Sequence, residues 1–331
     1  GEPTQPGGNG QTIHSIIAGK LGFQCAECKK GHHIMLRINE IHSNLVSIII
    51  PTYNRAGLLK HAINSALKQS WNNIEIVVSD NCSNDNTKEI IFEFNDNKIN
   101  YFVNDENIGP ILNWRTALKK AKGELSIILS DDDYFLDERY IENSVNLFNK
   151  YDSINLVITD CVLGRGKNTV KTCLNLPECV GGLGFFSNFW TNNFNIPVIS
   201  NVFKTSKALE LDPFSDNQIL YSDIELWLKL MLVGDVGYIN SPSVYYNFHG
   251  ENIVTNLSRQ QLVKNANFIK NICNFMEENK YNSIFIKEWT YNFINKYIRF
   301  ISSVNNVENN DQLFKDIFDE IDLGGMFESG V

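Results

Sequence analysis

The 331-residue chain has no apolar run approaching the roughly 20 residues that a membrane-spanning helix requires, so nothing in it predicts a bilayer crossing. Positive charge is also scarce, with 29 Lys and Arg against 38 Asp and Glu and a formal net charge of -9. A nucleic-acid groove asks for clustered Lys and Arg, so no nucleic-acid partner is expected, and a phosphate-bearing ligand must be met by a local device such as a metal ion. No G-x-G-x-x-G follows the first apolar strand, where the chain reads "PTYNRAG", and "GRGKNT" at 164–169 lacks the pattern of a P-loop. Seven cysteines, an odd number scattered from Cys25 to Cys273, do not make a disulfide framework and read mostly as buried thiols. In "CAECKKGHH" the residues Cys25, Cys28, His32 and His33 have zinc-compatible spacing. They lack the dozen-residue gap between ligand pairs of a zinc finger, and an N-terminal appendage is the favoured reading. The opening "GEPTQPGGNG" carries neither methionine nor an apolar signal stretch and reads as a processed end, which makes cytoplasmic residence the expectation.

What the chain does contain is a regular alternation. From Leu45 onward, short apolar β-rich runs ("LVSIII", "IEIVVS", "INYFV", "LSIIL") alternate with segments of helical period ("LLKHAINSALKQ", "TKEIIFEF", "ILNWRTALKKA"). That pattern predicts an α/β fold with a mostly parallel, doubly wound sheet and right-handed crossovers. Leu59, Ile63, Ala66 and Leu67 fall on one helical face. Pro110 suits a first helical turn and Gly123 the end of the same helix. "SINLVITD" reads as a further strand and "IELWLKLMLVG" as an apolar helix ending at Gly234. The division that follows is an appendage at 1–44, a catalytic domain at 45–255 with halves at 45–135 and 136–255, and a helical extension at 256–331.

The stretch "SIILSDDDYFLD" at 126–137 runs an apolar strand into three adjacent aspartates. Neighbouring carboxylates repel by roughly 1 kcal/mol at 4 Å in water and about 4 at an effective dielectric of 20, so such a cluster needs a cation or open solvent. In an open parallel sheet, ligands sit beyond the carboxyl ends of the strands, where the strand order reverses. "PTYNR" ends the first strand, Asp80 of "SDNCSND" the second, and Asp131, Asp132 and Asp133 the strand from Leu125. A turn with backbone and hydroxyl groups, an isolated carboxylate and a carboxylate cluster together suit a nucleoside diphosphate bridged by Mg2+ or Mn2+.

"VSIIIPTYNRAGLLKHAINSALKQSWNNIEIVVSDNCSNDNT", "NIGPILNWRTALKKAKGELSIILSDDDYF" and "SDIELWLKL" followed by "YYNFHGEN" resemble the family 2 glycosyltransferases of the GT-A fold, over roughly residues 45 to 250. The resemblance implies inverting transfer of a sugar from a nucleotide-diphosphate donor, such as a UDP-sugar, with Mn2+ or Mg2+ at an Asp-x-Asp motif. The acceptor it implies is a hydroxyl of a glycan or lipid-linked oligosaccharide, in the making of surface polysaccharide such as O-antigen or capsule. By position, Pro51, Thr52, Tyr53 and Asn54 line the base, and Asp80 holds the nucleoside with Ser83 or Asp85. Asn107 and Arg115 border the nucleotide. Matched from Tyr134, the metal-binding aspartate is Asp132, with Asp133 beside it and Asp131 nearer the ribose; Asp131 and Asp133 as the literal Asp-x-Asp is the other reading. Asp223 is the implied general base, with Glu225 as fallback, although Ser222 stands where the family carries glutamate. His249 is placed at the metal or diphosphate.

Two questions stay open at this level. A catalytically inactive sugar-nucleotide-binding or scaffold module is the alternative from another class, whereas a nucleotidyltransferase would show a glycine-rich phosphate loop that is absent. In "FIKEWTYNFINKYIRF", Phe285, Trp289, Phe293 and Phe300 beside Lys287, Lys296 and Arg299 have the composition of an interfacial helix. That composition allows peripheral contact with the inner face of the plasma membrane; packing onto the catalytic domain or into a homodimer is the favoured expectation, because an aromatic stripe is more often core than anchor.

Overall fold

Val46–Thr52 forms β1, and all seven of its residues are buried, as befits a strand covered on both faces. Ile48 and Ile50 enter one apolar cluster and Ile49 the other, so the pleat of this one strand serves two cores. The computed structural model describes residues 44–165, 168–189, 198–216, 219–248, 252, 257–305 and 310–321. Into the first core go α1 (Ala56–Leu67), through Leu59, Ala62, Ile63 and Ala66, and α4 (Tyr140–Lys150). Between them in the chain come β2 (Ile74–Asp80), α2 (Thr87–Phe94), β3 (Ile99–Val103), α3 (Pro110–Lys120), β4 (Leu125–Ile128) and β5 (Tyr134–Phe135).

Beyond them run β6 (Ile154–Arg165), β7 (Asn168–Lys171), β8 (Cys179–Val180), α5 (Gly182–Asn188), β9 (Asn201–Lys204), α6 (Thr205–Leu211), α7 (Ser222–Val233) and β10 (Asp235–Phe248). The strand order is β3-β2-β1-β4-β9-β6-β10-β5, with β7 beside β6 and β8 beside β10. β3, β2, β1 and β4 are mutually parallel. The first half of the sheet thus follows the alternation read from the sequence. Past β4 the sheet is mixed: β9 pairs antiparallel with both β4 and β6, while β6 and β10 run parallel.

Two punctuation residues act differently. Pro110 opens α3 as expected. Gly123 does not end that helix, whose cap is Ala121; it lies where the chain passes under β1, and a Cβ there would sit 2.6 Å from the Ser47 amide nitrogen. Only glycine fits so close an approach of two backbones.

The second core contains α7, of which Leu226, Trp227, Leu228, Leu230 and Met231 are buried. An all-round apolar helix must be covered on all sides, and the cover is a final helical layer: α8 (Arg259–Asn265), α9 (Asn267–Glu278), α10 (Ser283–Asn305) and α11 (Asn310–Ile321). This layer takes up part of the aromatic stripe of α10. Trp289 and Phe293 are buried, Trp289 stacks on Phe186 of α5 at 4.6 Å, and Phe285 and Phe300 pack at the edge of the same cluster. Trp289 and Phe293 are therefore core of the same protomer, whereas Ile284 and Tyr291 of the same helix are exposed.

Candidate active site

The parallel register fixes the edge on which polar groups collect. Thr52 is aligned with Asp80 across β1 and β2, and Ile49 with Ile128 across β1 and β4. The strand order turns between β1 and β4, and there the Thr52 hydroxyl donates to Asp131 Oδ2 at 2.8 Å. The acidic triplet therefore stands at the crevice where open α/β sheets bind ligands.

On the β1–β2 side the loops clasp each other. Asn54, at φ 53°, donates its amide to Ser83 Oγ at 2.9 Å and accepts the Asn84 amide at 2.7 Å. Asp85 takes the Ala56 amide at the start of α1 and the Thr87 amide at the start of α2, capping two helices at once. Asp80 is buried, its carboxylate accepting the Ser83 amide at 2.9 Å and the Tyr101 hydroxyl at 2.7 Å. Asn107 accepts from Asn81 at 2.8 Å and from the Gly109 amide at 2.9 Å. Pro51 is buried within β1, while Tyr53 is 40% exposed, a free aromatic face on the rim. Arg115 is committed to a bidentate pair with Asp212, at the end of α6. The structure thus gathers Thr52, Tyr53, Asn54, Asp80, Ser83 and the aspartate triplet on one edge, with Asn107 one hydrogen bond further out and Arg115 tied to the second half of the sheet.

The triplet is arranged unevenly. Asp131 is buried, and burial pushes its carboxyl up to about 6 against the pull of Arg55. Arg55 Nη1 bridges Asp131 Oδ1 at 3.1 Å and Asp132 Oδ2 at 2.9 Å. Asp133 accepts the Asn247 amide of β10 at 2.8 Å through Oδ1; its Oδ2 is buried with no hydrogen-bond partner among the described residues. Burial and the neighbouring Asp132 hold the Asp133 carboxyl well above the ordinary carboxylate range. Asp131 and Asp132 share one guanidinium, and the buried Asp133 oxygen without a hydrogen-bond partner among the described residues costs free energy that a ligand can recover. Hard oxygen donors with excess negative charge fit Mg2+ or Mn2+. Among the described residues no three such groups are gathered closely enough to hold an ion by themselves, so Asp132 and Asp133 would supply part of its oxygen ligands.

Asp223 lies in the first turn of α7 and not at its cap, which is Tyr221. Its Oδ1 accepts the adjacent Ile224 amide at 2.8 Å, and burial raises its carboxyl to about 6. Glu225 is excluded as a base by its partners: Lys229 at 2.5 Å and Asn271 at 3.0 Å engage its two oxygens inside the helical layer. Tyr246 of β10 precedes Asn247, whose amide donates to Asp133. Its phenol is raised by burial first and then by the charges of Asp133, Asp132 and Asp223 together. His249, the cysteine and histidine cluster near residue 30 and the 190–197 loop lie outside the described residues.

Two residues here were not singled out by pattern. Arg55 was visible as the only cation of "PTYNR", but nothing in the sequence says that it reaches two aspartates 76 and 77 positions later. Tyr246 sits in "YYNFHGEN", where strand alternation places every second side chain on the site face.

Comparison with known proteins bears on this geometry. Residues 47–200 match the family described as Glycosyl transferase family 2. An uncharacterised glycosyltransferase of Rickettsia felis is 31% identical over 229 residues, 64% of this chain and 35% of that protein. The chain thus spans about a third of that relative's length. The Escherichia coli enzyme named UDP-Glc:alpha-D-GlcNAc-diphosphoundecaprenol beta-1,3-glucosyltransferase is 28% identical over 204 residues, 59% of this chain and 73% of that protein. A mannosyltransferase of Pyrobaculum calidifontis, solved in complex with GDP-Man and Mn2+, shares the fold at a TM-score of 0.53 and 14% identity, covering 96% of this chain and 84% of that one. The matched segment, which supplies β1, the Asn54–Ser83 clasp and the aspartate triplet, is similar to glycosyl transferase family 2, and the chain has the GT-A fold.

Proposed function

We propose that the protein transfers a sugar from a nucleoside-diphosphate donor to a hydroxyl of a lipid-linked saccharide, with inversion, in the making of a surface polysaccharide. The observation that carries this reading is the aspartate triplet at the carboxyl ends of β1 and β4, beside the Asn54–Ser83 clasp. There Thr52 and Arg55 hold Asp131 and Asp132, and a buried oxygen of Asp133 has no hydrogen-bond partner among the described residues. Tyr53 offers its exposed ring to the base, and Asp80, steadied by Tyr101 and Ser83, faces the nucleoside. Asp132 and the free oxygen of Asp133 are the groups that would hold Mg2+ or Mn2+, with Asp131 toward the ribose and Asp131 with Asp133 as the alternative pair. When bound, the ion neutralises charge on the departing diphosphate.

The acceptor oxygen attacks the anomeric carbon from the Asp223 side. Its proton passes to Asp223, the carbon–oxygen bond to the diphosphate breaks, and the nucleoside diphosphate leaves with the electron pair. A carboxyl poised near 6 is ionised at neutral pH yet basic enough to take that proton. UDP-glucose with an undecaprenyl-diphosphate-linked saccharide is the first pair to try, because the similar E. coli enzyme carries both in its name. No described helix is long and apolar enough to cross a membrane. We take the protein to work at the cytoplasmic surface where such a lipid is presented.

The test is a panel of nucleotide sugars with lipid-linked acceptors, with Mn2+ or with chelator. Metal-dependent product from at least one pair supports the reading. Donor binding without turnover or hydrolysis for any pair leaves the inactive binding module instead.

A further inference from the structure

Arg55 stands at the start of α1, where its carbonyl accepts the Leu58 and Leu59 amides, each at 3.0 Å. Its backbone is therefore fixed while its side chain reaches across the crevice. One nitrogen, Nη1, serves both Asp131 and Asp132. Its side chain is 32% exposed, whereas both aspartate side chains are 7% exposed. An exposed ion pair of this kind contributes little, but two buried carboxylates left without a cation are strongly unfavourable. Arg55 is thus the charge partner of this cluster among the described residues.

We infer that Arg55 is a resident counter-ion which the divalent cation must displace, and which then turns to the donor diphosphate. This rests on the metal-dependent reading given above. The oxygen of Asp132 that Arg55 holds at 2.9 Å is one of those offered to the ion. A dication and a guanidinium on the same oxygens repel each other, most strongly where burial lowers the effective dielectric. Released, the guanidinium remains anchored at the lip between β1 and β4, beside the place where a diphosphate bound through an ion at Asp132 and Asp133 would lie. Its planar fork matches phosphate oxygens as well as it matches carboxylates.

The consequence is coupling between the two ligands. Metal alone binds weakly because it evicts Arg55 with nothing to receive it, and nucleotide alone binds weakly because Arg55 is occupied. Together each frees what the other needs, and by linkage the factor is the same in both directions.

The experiment measures Mn2+ binding to the folded full chain by electron paramagnetic resonance, with and without UDP, and UDP binding with and without Mn2+. In the parent protein, UDP should tighten Mn2+ by about tenfold or more, within the usual range of such coupling. In Arg55→Gln, Mn2+ alone should bind several-fold tighter than to the parent, and the coupling factor should fall toward one. Arg55→Lys keeps the charge without the fork. It should leave Mn2+ affinity near the parent value while coupling still falls, which provides the test should the Gln variant not fold. Mn2+ affinity that is unchanged or weaker in folded Arg55→Gln, or undiminished coupling in either variant, overturns the inference. No Mn2+ binding to the parent at any UDP concentration would instead remove the metal-dependent reading itself.

Discussion

The two walls of the crevice are built on opposite principles. On the β1–β2 side every named polar group is answered from within the chain: Asn54 by Ser83 and Asn84, Asp80 by Tyr101 and Ser83, Asp85 by two helix starts. On the side formed by the triplet and Asp223, groups are left in want of a partner. Asp131 and Asp223 are raised to about 6, and Asp133 keeps a buried oxygen without a hydrogen bond among the described residues. The satisfied wall holds a shape and recognises; the unsatisfied wall stores unfavourable charge that a bound cation, a diphosphate or a proton relieves. Perturbed carboxyls gathered in one crevice mark it as the place where chemistry occurs.

The largest effect that breaks this contrast comes from Asp223→Asn. Turnover should fall by about 10² to 10⁴, the usual contribution of a general base, while UDP affinity stays within a few-fold of the parent. Steady-state rates and equilibrium titration of UDP check both halves. Turnover within a few-fold of the parent would take the proton-accepting role away from Asp223.

The same variant should be the more stable protein, in a pH-dependent way. A carboxyl raised from 3.8 to about 6 destabilises the folded state once it must ionise there. Its protonated form is retained in the fold while the unfolded chain has already lost the proton, so stability falls as pH rises from about 4 to about 6. Melting curves should coincide near pH 4, and by pH 7 the Asn variant should lead by up to about 3 kcal/mol, two pK units at 1.36 kcal/mol each. An equal offset at both pH values would show that Asp223 acts through packing alone.

Asp85, on the satisfied wall, should do the reverse. Burial opposes its ionisation slightly, but hydrogen bonds from Thr87 and Ala56 win, and its carboxyl is lowered. Its contribution is present above the unfolded pKa and lost as pH falls through the folded one. Asp85→Ala should cost about 1 kcal/mol at pH 7, a typical loss for a helix cap, and less near pH 3. Thermal melts at the two pH values give the sign directly.

How much of this was readable beforehand follows the same division. Alternating apolar runs specify β1 to β4 and the strand ends that gather Thr52, Asp80 and the triplet, because period and connection rules are local in sequence. β9 was not readable: four residues that enter the sheet between β4 and β6 leave almost no periodic trace. The α10 stripe was ambiguous in principle, since Trp289 and Phe293 suit a lipid interface and a helical core alike, and only α7 and α5 decide it. Gly123 was marked for the wrong reason, because a close approach to β1 does not show in the sequence around a helix end. Arg55 depended on a contact 76 residues away in the chain.

The smallest predicted effect concerns the residue that joins the unsatisfied groups. Tyr246 keeps its proton throughout the working range, because burial and the charges of Asp133, Asp132 and Asp223 all oppose ionisation. A neutral phenol adds no charge to its neighbours; it offers one hydroxyl donor to whatever oxygen comes beside it. Tyr246→Phe should therefore lower turnover by less than about tenfold, the factor that one neutral hydrogen bond of roughly 1 kcal/mol allows. The acid limb of the pH–rate profile should stay where Asp223 sets it, near 6. A limb displaced by a full unit in the Phe variant would mean that the phenol hydrogen-bonds the Asp223 carboxylate in the working enzyme. The triplet and Asp223 would then be coupled through Tyr246 itself and not only through the ligand.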